Sequence, residues 1–230
     1  MIGINKKNDY LGQLTVLERL KWAWENYSGS LAMTSSFQTQ SVPFLHMVSQ
    51  AIPEIPILFL DTGFHFTETL LFRDFLRDKY QLNIINVKPE IGHQDFKSSY
   101  GNLYLTDPDL CCHINKVAPL QKELNKYDAW ITGVRSEQTS GRAKIKMFNV
   151  EKDRKIKLAP LLDWTKRDIW TYHNQNDLPM HPLFLKGYMS IGCAPCTRPA
   201  TDPNDERSGR WADSCKTECG IHTSVENQED

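Results

Sequence analysis

The sequence predicts an α/β fold: an open, mostly parallel twisted sheet with helices on both faces. Three observations carry this. Short apolar runs at 30–34, 55–60, 83–87 and 129–132 read as strands, the second continuous and apolar as buried parallel strands are. Helical patterns lie between them, and the alternation β-α-β-α-β demands parallel pairing through right-handed crossovers. Polar loops follow the strands at their carboxyl ends, where open α/β sheets bind ligands. A length of 230 residues suits one domain over 1–230, with 1–12 flexible and 201–230 a mobile C-terminal segment.

Each element has its own signal. In 13–27, Leu17, Leu20, Trp24 and Tyr27 recur at helical spacing. Strand 30–34 runs into the polar turn 35–41, after which Ser41 is a candidate N-cap and Pro43 sits in the first turn of a helix carrying Phe44, Leu45, Val48 and Ile52. A strand, a polar loop and a helix N-terminus together make a phosphate cradle, which singles out Ser35, Ser36, Gln40 and Ser41. The plainer reading is an ordinary polar turn, since the glycines of a P-loop are missing. Strand 55–60 ends in Asp61-Thr62-Gly63, placed either to meet a ligand or merely to turn the chain into the helix of Leu70, Leu71, Phe75 and Leu76.

Residues 88–108 show little periodicity and read as a long polar loop. Asp109 then opens a helix bearing Cys111, Cys112 and Lys116, with Pro119 kinking it or starting another. Strand 129–132 leads into the polar loop 133–142, and 144–157 reads as a hairpin around Asp153. Thr165 and Asp168 form a capping-box pattern that opens a helix through Gln175.

Composition excludes more than it selects. A formal net charge of −1 gives no bulk attraction to nucleic acid or membrane, so any anion site is local. No run approaches the ~18 apolar residues of a membrane span, and the first residues lack a signal-peptide core, so a reducing, cytoplasmic setting is expected.

The cysteines carry the chemistry. Two of the six, Cys111 and Cys112, are neighbours; Cys193 and Cys196 have two-residue spacing. Four thiolates hold zinc or an iron–sulfur cluster. Adjacent cysteines diverge and close poorly on one ion, whereas the separate iron corners of a four-iron cluster suit them. Buried cysteines without metal are the remaining alternative. Cys219 lies between Glu218 and Gly220, three residues before His222, and follows Arg207 and Arg210. Cations near a thiol favour the nucleophilic thiolate. An incidental thiol on a charged tail is the plainer reading, and Cys215 has no assignable role.

Taken together, Cys111-Cys112-x-x-x-Lys116, Gly192-Cys193-x-x-Cys196-Thr197-Arg198-Pro199, Glu206-Arg207-x-Gly209-Arg210-Trp211 and Glu218-Cys219-Gly220-Ile221-His222 resemble the assimilatory sulfonucleotide reductases, and most closely the cluster-containing adenylyl-sulfate (APS) reductases. Asp61-Thr62-Gly63 and Thr132-Gly133-x-Arg135-x-Glu137-Gln138 fit the same pattern, which spans about residues 30–222. The resemblance implies an adenine nucleotide alpha-hydrolase-like fold with the catalytic Cys219 on a C-terminal tail. It implies thioredoxin-dependent reduction of APS to sulfite and AMP through an S-sulfocysteine, within sulfate assimilation and cysteine biosynthesis. It also implies a [4Fe-4S] cluster on Cys111, Cys112, Cys193 and Cys196, thioredoxin or glutaredoxin as donor, and a homo-oligomer. Lys116, Arg135, Arg207, Arg210 and His222 become candidates for balancing substrate charge, and Asp61, Thr62 and Gly63 for lying near ribose and adenine.

Departures from the pattern leave the nucleotide open. Asn115 and Ser136 stand where arginines are frequent. The loop Phe37-Gln38-Thr39-Gln40-Ser41 lacks the Ser-Gly-Ala-Glu-Asp of APS-specific members and is closer to that of enzymes using the 3′-phosphorylated nucleotide, PAPS. A PAPS or dual reductase is therefore an alternative. A non-catalytic metal-binding module on the same fold is another. A cluster-dependent tRNA thiolase would need a glycine-rich ATP loop and a basic face, and the sequence has neither.

Overall fold

The computed structural model describes residues 3–151, 153–202, 204–212 and 214–222. Among them, six strands form one sheet in the order β3-β2-β1-β4-β6-β5, from β1 (Leu31–Thr34), β2 (Ile57–Leu60), β3 (Ile84–Val87), β4 (Ala129–Thr132), β5 (Phe148–Val150) and β6 (Ile156–Leu158). All neighbours are parallel except β5, which runs antiparallel to β6 as the hairpin pattern predicts. Alternate side chains go to opposite faces. Leu31, Met33, Ile57, Phe59, Ala129 and Ile131 join the larger core under helices α2 (Val16–Tyr27), α3 (Val42–Ala51), α4 (Thr67–Tyr80) and α9 (Lys166–Gln175). Ala32, Leu58 and Trp130 face the other way, against Leu120 and Leu124 of α8 (Ala118–Leu124). The predicted double-sided sheet is therefore present.

Several helices stand where their signals put them. Capping boxes at Thr15–Glu18 and Thr165–Asp168 open α2 and α9. The buried stripe of α2 is Val16, Leu20 and Ala23, while Leu17 of the expected stripe is exposed. Arg19 is buried beside that stripe and grips Asp163 with two 2.7 Å contacts. Ser41 precedes α3 by position only; its hydroxyl lies 3.2 Å from that of Ser36 and caps no backbone N–H.

Two expectations need correction. Residues 4–12, expected to be flexible, form α1 (Ile4–Gly12), which buries Leu11 and sets Asn8 against β5. The Asn8 side chain donates to the Phe148 carbonyl and accepts from its N–H, both at 2.9 Å. The stretch 88–108, expected to be a loop, holds α5 (His93–Tyr100) and α6 (Leu103–Thr106). Each is short and begins without a side-chain cap, so periodicity has too few turns to show. Phe96 and Leu103 anchor them in a small core with Cys111. Among the described residues no helix is long and apolar enough to cross a membrane.

Candidate active site

From β1 the chain steps outward through β2 and β3, then returns to place β4 on the other flank of β1. The loops after β1 and β4 therefore diverge, and a crevice opens between them at the carboxyl end of the sheet. A cavity of about 520 Å³ occupies this point, and its lining includes Ser35, Ser36, Gln40, Ser41, Lys116, Arg135, Arg207, Arg210, Cys219 and His222. Residues scattered over nearly the whole chain thus meet in one space. Asp61, Thr62 and Gly63 do not line it, although Leu60 and His65 do. Asp61 faces Lys88 at 4.0 Å, Gly63 turns at φ +74° against His93, and the buried Thr62 hydroxyl lies 3.3 Å from the Cys193 sulfur.

The 35–41 loop is held by its own side chains. Phe37 adopts a left-handed backbone, φ 54°, which costs a non-glycine residue on the order of 1 kcal/mol or more. Its fully buried ring packs edge-on against Phe59 at 5.6 Å and holds it there. Gln38 accepts the Ile191 N–H at 2.8 Å, and Gln40 bridges Arg135 to Glu206.

Arg135 is buried, and burial pulls its guanidinium below the ordinary arginine value even though Glu137 lies 3.2 Å away. Arg142, also buried, clasps Glu218 through Nε and Nη2 at 2.8 and 2.9 Å. Thr139 adds a hydroxyl to the same carboxylate at 3.0 Å, and Arg207 approaches it at 3.6 Å while donating to the Thr217 carbonyl at 2.6 Å. Glu218 adjoins Cys219, so these contacts lay the thiol-bearing segment along the cavity wall. Arg210 stacks on Trp211 at 4.3 Å and lies over Gly192, where any Cβ would meet its guanidinium. Beyond Cys219, His222 lies parallel to Trp130 with centroids 6.2 Å apart. Burial, then the charges of Lys157, Arg142 and Arg207, hold this imidazole well below the usual histidine range.

The two cysteine pairs meet elsewhere on the same wall. Cys111 and Cys112 end α7 (Pro108–Cys112), and a π-helical turn at His113–Val117 follows. Such a turn inserts one residue into the helix and is frequent at functional sites. Cys111, Cys112, Cys193 and Cys196 line one small cavity together with Lys116. Lys116 and Cys193 also line the large cavity and so form the partition between the two. Burial, then the neighbouring Cys112, Cys193 and Cys196, push the Cys111 thiol up to about 12; Cys112 and Cys196 are raised chiefly by burial. For Lys116 burial works against the charge, but Cys193, Cys112 and Cys219 outweigh it and hold the ammonium above its ordinary value.

Four thiols lining one small cavity are a donor set of the type that, deprotonated, holds zinc or an iron–sulfur cluster. Among the described residues no group of three or more His, Cys, Asp or Glu is arranged to hold a metal ion. Asn115 turns into this region rather than the large cavity, donating to the Cys111 carbonyl at 2.9 Å and approaching its sulfur at 3.8 Å.

Several residues of the site carry no local signal in the sequence. Arg142, Lys166 and His65 line the large cavity, and Lys166 pairs there at 2.9 Å with Glu206, itself part of a recognised motif. The glutamate at 218 stands inside a recognised motif, but its partner Arg142 is fixed only by tertiary contact.

Residues 30–199 match the phosphoadenosine phosphosulfate reductase domain. The chain is 38% identical to adenosine 5′-phosphosulfate reductase of Halalkalibacterium halodurans over 226 residues, covering 96% of this chain and 97% of that one. It is 43% identical to the Geobacillus kaustophilus enzyme of that name over 209 residues, 90% and 89% of the two chains. Among solved structures, phosphoadenylyl-sulfate (PAPS) reductase from Candida auris superposes with a TM-score of 0.74 at 29% identity, covering 85% of this chain and 96% of that chain. The Candida glabrata FMN adenylyltransferase in complex with FAD and pyrophosphate shares the fold alone, with a TM-score of 0.61 at 14% identity over 97% and 84% of the two chains.

Proposed function

The chain belongs to the phosphoadenosine phosphosulfate reductase domain family, and from that premise we propose that it reduces adenosine 5′-phosphosulfate to sulfite, releasing AMP. One observation carries the reading: the Cys219 thiol lines the same cavity as Lys116, Arg135, Arg207 and Arg210, at the switch point of the sheet. The names of the relatives supply the nucleotide.

The Cys219 thiolate attacks the sulfur of the phosphosulfate. The S–O bond breaks, AMP departs with the electron pair, and the enzyme carries S-sulfocysteine. The cations offset the charge of substrate and leaving group, with Lys116 in the partition itself and Arg210 over the neighbouring Gly192. A dithiol such as thioredoxin or glutaredoxin then attacks the Cys219 sulfur and expels sulfite. Its second thiol resolves the mixed disulfide and returns Cys219 reduced, so two electrons come from the dithiol. That second stage requires the 201–222 segment to leave the cavity, and its mobility is part of the proposal.

Cys111, Cys112, Cys193 and Cys196 are assigned to a [4Fe-4S] cluster. When bound, it would tie the π-turn region to the 193–196 knuckle and set negative charge beside Lys116. A cytoplasmic location and a homo-oligomer belong to the same reading. Use of PAPS as well is the second reading, favoured by the Phe37-Gln38-Thr39-Gln40-Ser41 loop, which lacks the Ser-Gly-Ala-Glu-Asp pattern of APS-specific members.

The test is sulfite release under anaerobic conditions from both nucleotides with reduced thioredoxin, beside Cys219→Ser. Turnover with APS that the substitution abolishes is expected, with the PAPS rate deciding the breadth of specificity. No turnover with either nucleotide, from protein carrying about four irons per chain, overturns the reading. Iron content of Cys193→Ser checks the ligand assignment, with near-complete loss expected.

A further inference from the structure

Lys157 is the buried charge that the mechanism above leaves unused. It sits mid-strand in β6, 1% exposed, and does not line the cavity, so it touches no substrate. Its register partner across the ladder is Trp130 of β4, and its Nζ lies 4.7 Å from the centre of that indole. Among the described residues its counter-charge is Glu151 at 3.5 Å, and Nζ has no closer hydrogen-bond partner. Glu151 is itself committed, accepting the Trp130 indole N–H at 2.9 Å. A buried ammonium so loosely paired costs several kcal/mol, and an apolar side chain of similar volume would pack there more cheaply. An electrostatic purpose is the physical reason to keep it.

That purpose lies on the other neighbour of Trp130. The imidazole of His222 stacks on the same indole at an interplanar angle of 13°, and Ile221 packs into the same apolar cluster. Trp130 is thus the seat of the last turn of the catalytic segment, and Lys157 puts a cation against that seat. We propose that Lys157 is a positioning residue for the reaction. It acts through Trp130 and His222, keeping the imidazole stacked on the indole and the Cys219 segment seated.

The charged surroundings are consistent. His222 faces cations from three elements, Lys157 on β6, Arg142 in the loop after β4, and Arg207 of the C-terminal segment. The nearby Glu218 carboxylate is bound to Arg142. Lys157 in turn faces Glu151, Arg142 and Cys219, and burial lowers its own ammonium. A protonated imidazole on that indole would meet the Lys157 ammonium as a like charge in a buried setting. Protonated His222 would therefore leave the seat, and the ammonium sets how far pH must fall before that happens.

This inference rests on the reductase reading for its kinetic arm only. The direct arm is an NMR titration of the histidine ring protons, with His222 assigned by comparison with His222→Asn. Lys157→Met is expected to bring the His222 midpoint up by about one pH unit toward the ordinary value, and Lys157→Arg to restore it. The acid limb of kcat/KM for APS should move the same way, with a roughly tenfold deficit for one unit at pH values below both midpoints. Glu151→Gln leaves the ammonium without its counter-charge and should move the midpoint the other way, which keeps the test sharp if the methionine variant folds poorly. A His222 midpoint unchanged in Lys157→Met and Glu151→Gln, or not restored by arginine, overturns the proposal. Failure of the wild type to release sulfite overturns the reductase reading and leaves the titration to judge Lys157.

Discussion

Gly209 offers the sharpest test of how the cavity is assembled. It stands between Arg207 and Arg210 where the C-terminal segment crosses the chain after Cys196. Thr197 and Arg210 form an antiparallel bridge, and the Gly209 carbonyl accepts the Arg198 N–H at 2.8 Å. A Cβ at 209 would lie 2.1 Å from the Arg198 carbonyl oxygen and 2.8 Å from that of Pro199. Ordinary carbon–oxygen approach is about 3.3 Å. The two backbones must therefore separate by roughly 1 Å, and no rotamer relieves the clash because the obstruction is backbone. Overpacking of this kind costs about 1–3 kcal/mol, which for a domain this size lowers Tm by roughly 2–12 °C. Displacement of Arg207 and Arg210 by about 1 Å is worth about 10²-fold in rate. Gly209→Ala should thus lose about two orders of magnitude in kcat/KM for sulfite release and melt earlier. Gly192→Ala is the matched contrast. Its Cβ would meet the Arg210 Nη2 at 2.5 Å, the free end of a side chain, so activity should fall with Tm nearly unchanged. A Gly209→Ala protein within twofold of wild type in kcat/KM and within a degree in Tm would refute the crossing as described.

Two further outcomes are expected. Glu218→Gln strands Arg142, and with the pair nine-tenths buried the loss should be about 3 kcal/mol in urea unfolding; it should also quicken alkylation of Cys219, and unchanged rates would show that the clasp does not hold the segment. Burial takes His181 down to about 4, with Leu183 N–H donating to its Nδ1 and Thr69 beside its Nε2. Its folded value lies below the unfolded 6.5, so the unfolded chain binds the extra proton and stability falls as pH drops from about 6.5 through 4. The loss is on the order of 3 kcal/mol, and a Tm series over that window should flatten in His181→Gln.

The parallel strands β1–β4 were legible because they are short, mainly apolar runs with polar breaks, and α9 because Thr165 and Asp168 mark its start to the residue. The helices of 88–108 were not, since Phe96 and Leu103 are single anchors in one or two turns. The cysteine pairs and Cys219 announced the site through residue type. Arg142 and Lys157 were silent, because a buried cation is defined by partners that arrive from distant strands and loops. For Lys157 a trace existed: a lysine in the middle of an apolar strand. Asp61-Thr62-Gly63 shows the converse, as its position past β2 suggested contact with a ligand, whereas Thr62 turns to the Cys193 sulfur.

Asn8 of α1 bears on how separate copies of the chain meet. β5 is the last strand of its side, and the outward N–H and C=O of Phe148 are both taken by that one side chain. A single asparagine thereby does the work of a seventh strand. A chain trimmed of its first dozen residues would keep the cavity, the cysteines and Lys157. It would also present an open strand edge, the template on which copies join into aggregates. The N-terminal helix thus guards solubility from the end of the sequence opposite the one that carries the reactive thiol.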